Sequence, residues 1–457
     1  MMRCLFSGVS GLRAHQQKMD VIGNNIANVN TVGYKAGRVT FSDIFNQTLS
    51  GATAPDSTTG RGGVNPMQIG LGVGISAIDT ITTRGSTEST GNQTDIAING
   101  SGFFIVRQGT TGTFQFTRAG NFTLDKSGNL VTSGGLNVYG WLDYGGKQQA
   151  DGSYKFDTNK DVEPINLYSD AYNKNKQVLA AKATENATFR GSLDSSETAA
   201  GSAIDNILTG TTKPDPQYST TMTVYDALGN SYEVKVNFTK CYVDSTTDAD
   251  NPITSWYWEI EDSTGMSMGT GASGYIKFDK RGNLVTGDTA FNTAPQVAFT
   301  PSGDTGASSF NVNMDFSNLT MTSGDSSVEA GTVDGYPSGT LEDFSIGQDG
   351  IIMGVYSNGK QQPLGMVALA SFENPAGLAK AGANTYVATA NSGDFINGVM
   401  AGNGGSGLLS AGSLEMSNVD LSYEFSQMIV TQRGFQANSR IITTADEMLQ
   451  ELVNLKR

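Results

Sequence analysis

Cysteine and histidine are nearly missing from this 457-residue chain: only Cys4 and Cys241 occur, far apart, and His15 is the single histidine. Two distant thiols exclude a disulfide framework and any cysteine-based metal cluster. One histidine removes His-rich metal sites and argues against a Ser-His-Asp triad, because His15 falls in the N-terminal helical stripe described below. No apolar run reaches the roughly 20 residues that span a bilayer as a helix, so membrane insertion is not expected. The opening MMRCLFSGVSGLRAHQQKMD lacks an apolar core followed by a small-residue cleavage pattern, so no cleaved secretory signal is expected. Helix-forming Leu, Lys and Arg are sparse, whereas glycine reaches 57 residues and Ser, Thr and Asn abound. That balance favours short strands joined by many turns.

Positive charge is scarce over most of the chain, whose formal net charge is −15. Residues 1–45 carry five Lys/Arg against two Asp/Glu and residues 413–457 four against six, which leaves −16 on residues 46–412. An acidic body repels nucleic acid and anionic membranes, so no nucleic-acid partner is expected. P-loop, G-x-S-x-G and H-E-x-x-H patterns are absent. The G-x-G-x-x-A in GLGVGISA lacks the strand–helix context of a dinucleotide loop. The carboxylates fall mostly in turns and acidic loops. The expectation is a non-enzyme with no catalytic, cofactor-binding or metal-binding residues and no cofactor.

What is present declares itself first at the two ends. Leu5, Val9, Leu12, Met19, Ile22 and Ile26 form a seam repeating near 3.5 residues, with Gln16 at its one polar position. Leu421, Phe425, Met428, Phe435, Ile442 and Leu449 keep a similar rhythm, interrupted by Gln432, Ser439 and Asp446, while Ala445, Met448, Leu452 and Leu455 widen the face. No adjacent sequence covers either stripe. The two ends are therefore expected to pair with one another, as a coiled coil, and with copies from other chains.

Between the ends the pattern is strand and turn. Residues 46–93 read as an outgoing connector with loop chemistry in its first half and strand alternation in IGLGVGISAIDTITT; AGNGGSGLLSAGS (401–413) reads as a short flexible return. DKSGNLVT (125–132) recurs as DKRGNLVT (279–286), a repeated hairpin in which Asp and Gly supply the turn. Residues 181–339 have strands of their own and long acidic connections such as DSTTDADNP. The expected fold is mainly β with terminal α-helices, built as two β domains nested by insertion. Residues 1–30 and 414–457 form a terminal helical polymerisation domain, 31–90 and 403–413 a connector, 91–180 and 340–402 an inner β domain, and 181–339 an inserted outer β domain.

The segments SGVSGLRAHQQKMDVIGNNIANVNTVGYK (7–35) and SNVDLSYEFSQMIVTQRGFQANSRIITTADEMLQELVNLKR (417–457) resemble the bacterial flagellar rod, hook and hook-associated axial family. So do NPMQIGLGVGISAI, TDIAINGSGFFIV, FTRAGNFTLDKSGNLVTSGGLNVYGW, TMTVYDALGNSYEVKVNF and PLGMVALASFENPAGL between them. Length and the 181–339 insertion look more like hook members than the shorter distal-rod ones. The resemblance implies a structural subunit that polymerises helically into a curved, flexible tube, a universal joint coupling rod to filament. Implied partners are further copies of the chain, rod and hook-filament junction proteins, a hook cap and the flagellar type III export apparatus. The implied location is the extracellular hook, reached without a cleaved signal peptide. The alternatives are a distal-rod or hook-associated axial protein or, in a different class, a secreted β-rich adhesin or binding protein, which leaves both helical stripes unexplained.

On that reading the apolar residues of both stripes form the polymerisation interface. The stretch NNIANVNTVGYK (24–35) adds four asparagines in twelve residues. One or two stop the helix and set a turn through Gly33. The surplus fits a corner that meets neighbouring subunits, where a neutral amide donates and accepts without desolvating a charge. Asn24, Asn25 and Asn28 are the candidates for intersubunit hydrogen bonds. Some relatives cross-link subunits through a cysteine and a lysine; the FTKCYV context of Cys241 does not match that motif, and a partly buried free thiol is expected there.

Overall fold

The computed structural model describes residues 2–55, 60–145, 154–172, 174–200, 215–244, 252–261, 266–269, 271–285 and 295–455. The chain divides into two compact units. The first comprises Met1–Lys176, Phe344–Gly354 and Gln362–Arg457; the second, Gln177–Asp343 with Val355–Gln361, is inserted within it.

Strands dominate both units, and two long helices stand at the ends: α1 (Met2–Ala27) and α2 (Leu421–Asn454). Asp420 starts α2 by accepting from Ser422 N at 2.8 Å and Tyr423 N at 3.2 Å, a side-chain cap for donors the helix itself leaves unpaired. The two helices pair in antiparallel fashion, the start of α1 lying beside the C-terminal half of α2.

The connector carries more strand than its composition suggests. Gly37–Asp43 pairs antiparallel with Val73–Thr80 and forms a hairpin against α1. Asn46–Ser50, expected to be loop, pairs with Met67–Gly70. The return tract is likewise ordered: Leu408–Ala411 pairs with Ile96–Asn99, and Ser413–Glu415 with Thr87–Ser89. Both tracts are rich in small polar residues of low strand propensity, and backbone pairing with a distant partner overrides that propensity. The G-x-G-x-x-A stretch lies within this hairpin, in an antiparallel strand.

In the inner sheet, Phe103–Arg107 is flanked by Asn137–Trp141 and Gln115–Thr117. Phe103, Ile105, Phe116, Tyr139, Trp141, Met366 and Tyr386 fill the core on one of its faces.

The second unit packs two sheets face to face. One runs Tyr218–Tyr225, Ser231–Asp244, Ile253–Glu261, Ser273–Phe278, all antiparallel. The other includes Phe310–Thr322 parallel to Asn186–Asp194. Trp256, Trp258, Phe189, Phe238 and Phe316 are buried between them. Cys241 is fully buried and its thiol is pushed up to about 11 by that burial, which leaves it protonated and unreactive at neutral pH. The D-x-x-G-N turn occurs three times, at Asp125–Asn129, Asp226–Asn230 and Asp279–Asn283. Each time the Asp Oδ1 accepts from the Asn backbone N, at 2.7, 2.9 and 2.8 Å. The glycines adopt φ of 85°, 91° and 78°, which is why glycine is needed there. Most of the acidic DSTTDADNP connection, and Thr286 at the end of the second repeat, lie outside the described residues.

Candidate assembly site

The helix pair is joined by small and polar residues. A Cβ added at Gly11 would stand 2.8 Å from the Asn438 amide, and one at Gly434 would stand 2.8 Å from the His15 ring. Further along, Lys18 Nζ donates to Gln427 Oε1 at 2.9 Å and Asn25 Nδ2 to Glu424 Oε1 at 3.0 Å. The line Gly8, Gly11, His15, Lys18, Ile22, Asn25 is the contact face of α1. On a helix of 3.6 residues per turn it lies about 105° around from the centre of Leu5, Val9, Leu12 and Met19. Glycines at a crossing let two backbones approach closely, and this spacing of small residues was the signal available in the sequence.

The apolar stripes are therefore displaced from the seam. Ile22 is buried, and Leu5, Leu12, Met19, Ile26, Met428, Ile442 and Leu449 are half-buried. Val9 (39% exposed), Leu421 (39%), Phe425 (50%) and Phe435 (37%) face outward. Ile442 touches α1, its Cγ1 standing 3.3 Å from where a Gly8 Cβ would lie, whereas Val9, Phe425 and Phe435 point away from that contact. Near the start of α1, Phe6, Val9 and Ala14 also line a groove of about 400 Å3 shared with Ile44, Val73 and Ile75 of the connector hairpin.

Electrostatics at the seam centre on two groups. Burial, then nearby Lys18, pulls the His15 imidazole below its ordinary range, and its Nδ1 has no hydrogen-bond partner among the described residues. Burial raises the Glu424 carboxyl, against the opposing pull of the Asn25 hydrogen bond and of Lys18.

The asparagine corner resolves into two roles. Asn25 is 1% exposed and all its amide valences are filled inside the chain. Its Nδ2 donates to Gly37 O (2.8 Å) and Glu424; its Oδ1 accepts from Gly37 N (2.9 Å) and Tyr34 Oη (3.3 Å). The intersubunit role expected of Asn25 is therefore withdrawn: a fully satisfied, buried amide has nothing left to offer a neighbour. Asn24 is exposed, and Asn28, half-buried, donates to its backbone and side-chain oxygens, each at 2.9 Å. Gly33, at φ 68°, brings the backbone so close to Ala119 that a Cβ would fall 2.6 Å from its nitrogen.

Beyond that turn lies a buried charge cluster that pattern reading missed. Glu415 Oε1 accepts from Lys35 Nζ at 2.6 Å and Gly85 N at 3.0 Å, and Oε2 accepts from Arg118 Nη1 at 3.1 Å. All three side chains are at least nine-tenths buried. Burial draws the Lys35 ammonium below its ordinary range, opposed by Glu415. Asn418 completes the joint, accepting from Ala36 N at 2.8 Å and donating to Ile81 O at 2.9 Å. The helices, the connector and the inner β body are thus locked at one corner, while apolar side chains remain on the outside of the helix pair.

Four family descriptions match in chain order: "Flagella basal body rod protein" over residues 5–35, "Flagellar hook protein FlgE/F/G D1 domain" over 97–171, "Flagellar basal body protein FlaE D2 domain" over 192–336 and "Flagellar basal body rod FlgEFG protein C-terminal" over 410–455. The chain is 40% identical to the flagellar hook protein FlgE of Treponema pallidum and 38% to that of Borreliella burgdorferi, over the whole of both chains in each case. It is 31% identical, again over the whole of both chains, to the basal-body rod protein FlgG of Bacillus subtilis. With 40% and 38% identity to hook proteins over the whole of both chains, this chain belongs to the flagellar hook protein FlgE family.

Proposed function

We propose that this chain is the structural subunit of a flagellar hook, a curved and flexible helical tube that couples rod to filament. The observation that carries the reading is the placement of the apolar stripes, which lie off the seam that joins α1 to α2. Leu421, Phe425 and Ile429 occupy one flank of α2 and Val430, Ile441 and Met448 another, about 150° away on a helix of 3.6 residues per turn. All six except Leu421, at the boundary, are well exposed or about half so. Two unlike patches suit head-to-tail contacts that propagate, rather than a self-complementary contact that closes as a dimer.

On this reading residues 1–30 and 414–457 are the polymerisation domain. Leu5, Val9, Leu12 and Met19 with Leu421, Phe425, Met428 and Phe435 meet neighbouring copies, supported by Ile22, Ile26, Ile442 and Leu449. Asn24 and Asn28 supply hydrogen bonds to the next subunit. The connector ribbon adds Leu49, Val64 and Met67, all more than half exposed on an isolated hairpin that has little stability of its own in water. The chain is exported by the type III apparatus, assembles under a hook cap, and meets rod proteins at one end and hook-filament junction proteins at the other.

Electron microscopy of the concentrated full-length protein tests this. Wild type forms tubes. F425S/I429S removes about 2–4 kcal/mol of apolar burial per subunit, reckoned from half-exposed starting positions, and abolishes tubes while leaving monomer helicity intact. Tubes of unchanged yield from that variant overturn the reading, and straight, rigid tubes favour a rod protein.

A further inference from the structure

We infer that Asn397–Gly398 is a site of spontaneous covalent modification, closing to a succinimide and reopening as isoaspartate or aspartate. The inference does not depend on the tube. Four Asn–Gly pairs occur, at 99–100, 358–359, 397–398 and 403–404. Glycine leaves the following backbone nitrogen unshielded in all four, so what separates them is where the folded chain holds the carboxamide.

Only at Asn397 does the carboxamide lie against the nitrogen that would attack it, among the side-chain contacts described for these pairs. Gly398 N–H donates to Asn397 Oδ1 at 2.7 Å. Cγ, bonded to that oxygen, is thereby held near the about 3–3.5 Å separation of a near-attack arrangement. The amide is kept in place by Nδ2, which donates to Lys160 O at 3.3 Å and Thr158 O at 3.4 Å. Gly398 itself is confined, since a Cβ there would fall 2.8 Å from Ala368 Cβ and 2.9 Å from Val162 Cγ1. The neighbouring Ile396 is 91% exposed, so solvent reaches the segment.

At Asn99 and Asn358 the carboxamide is engaged with other groups. Asn99 Oδ1 accepts from Arg84 Nη1 at 2.6 Å. Asn358 Nδ2 donates to Pro337 O at 2.8 Å while its Oδ1 accepts from Lys360 N at 3.0 Å. Asn403 takes part in its turn through its backbone, its carbonyl accepting from Ser406 N at 2.9 Å.

In the reaction the Gly398 nitrogen loses its proton to solvent base and bonds to Asn397 Cγ. The Cγ–Nδ2 bond breaks and the nitrogen leaves as ammonia. Water then opens either imide carbonyl, so the net change is asparagine plus water giving isoaspartate or aspartate plus ammonia. The product loses both Nδ2 donors and sets a carboxylate against the Thr158 and Lys160 carbonyls. Isoaspartate also lengthens the backbone two residues before Val399, which exchanges hydrogen bonds with Leu369 at 2.7 and 2.9 Å. The segment around 391–400 is expected to loosen.

The test is ageing of the full-length folded protein in mildly alkaline buffer, followed by peptide mapping with isoaspartyl-specific methylation. Asn397 is expected to convert several-fold faster than Asn99, Asn358 and Asn403, and the four rates should converge when the chain is aged in urea. Conversion at Asn397 level with or slower than the other three in the folded protein overturns the inference. So does an Asn397 advantage that persists unchanged in urea, because it would then owe nothing to the fold.

Discussion

Replacing Glu415 by glutamine is the sharpest probe of the corner that joins helices to body. Its carboxylate is the only acidic partner described for two buried cations, Lys35 and Arg118, so E415Q leaves both without a counter-charge. Breaking a buried pair by deleting one partner costs about 3–5 kcal/mol, most of it the penalty of an uncompensated buried charge. K35M is the contrasting variant. It keeps Glu415 bound to Arg118 and to Gly85 N and removes a buried ammonium, so its loss should be about 1 kcal/mol or less. Urea unfolding followed by Trp141 fluorescence, in a W256F/W258F background that silences the second unit, reads both on the first unit. The pH dependence supplies a sign. Burial already sets the folded Lys35 below its unfolded value, and without Glu415 it falls further. In the window between those two values the unfolded chain binds more protons, so stability rises with pH. The E415Q deficit should therefore be full near neutrality and shrink as pH climbs toward the ordinary lysine range. A deficit under about 1 kcal/mol, a K35M loss as large as that of E415Q, or a deficit that grows with pH would refute the reasoning.

Two further outcomes concern the helix seam. Gly434→Leu raises the intrinsic helix propensity of α2 by about 0.8 kcal/mol yet should part it from α1, because the new side chain collides with His15; a raised melting temperature with tubes intact would contradict the seam. His15, held below its ordinary value of 6.5, contributes fully above that pH, and its contribution is lost as pH falls through the depressed folded value. Glu424, held above 4.5, has the opposite sign: its charged form is the costly one, and acidification through the raised value relieves that cost. In an E424Q background, urea titration should show stability falling with acid below neutrality, and H15Q should flatten that fall.

The helices and the nested β units were legible because both announce themselves through periodicity. Leu5 to Ile26 and Leu421 to Leu449 repeat near 3.5 residues, and the strands of 218–278 alternate around Trp256 and Trp258. The direction the apolar stripes face was not legible. A heptad pattern says that a face must be buried, and says nothing of whether this chain or another covers it. Here the contact inside the chain goes through Gly8, Gly11, Gly434 and Asn438, residues that carry no hydrophobic signal. The Lys35–Glu415–Arg118 cluster escaped for another reason. Its members are hundreds of residues apart in part, and a lone charged side chain in sequence looks like solvated surface until a fold encloses it.

The same division explains the corner NNIANVNTVGYK. An amide at Asn25 satisfies four backbone and side-chain groups where α1 turns into the connector, without adding a further charge beside Glu424. Past the Gly33 turn a buried cation is admitted at Lys35, where Glu415 bonds both to it and to Arg118. Polar groups thus fix the helices to their own body with directional contacts, while the non-directional apolar faces are left outward. A subunit built this way keeps a fixed internal geometry at its joint. Under the proposed assembly its contacts with neighbours would rest on that apolar surface, which tolerates small sliding better than paired charges do, and a tube that bends as it turns needs that tolerance between subunits rather than within them.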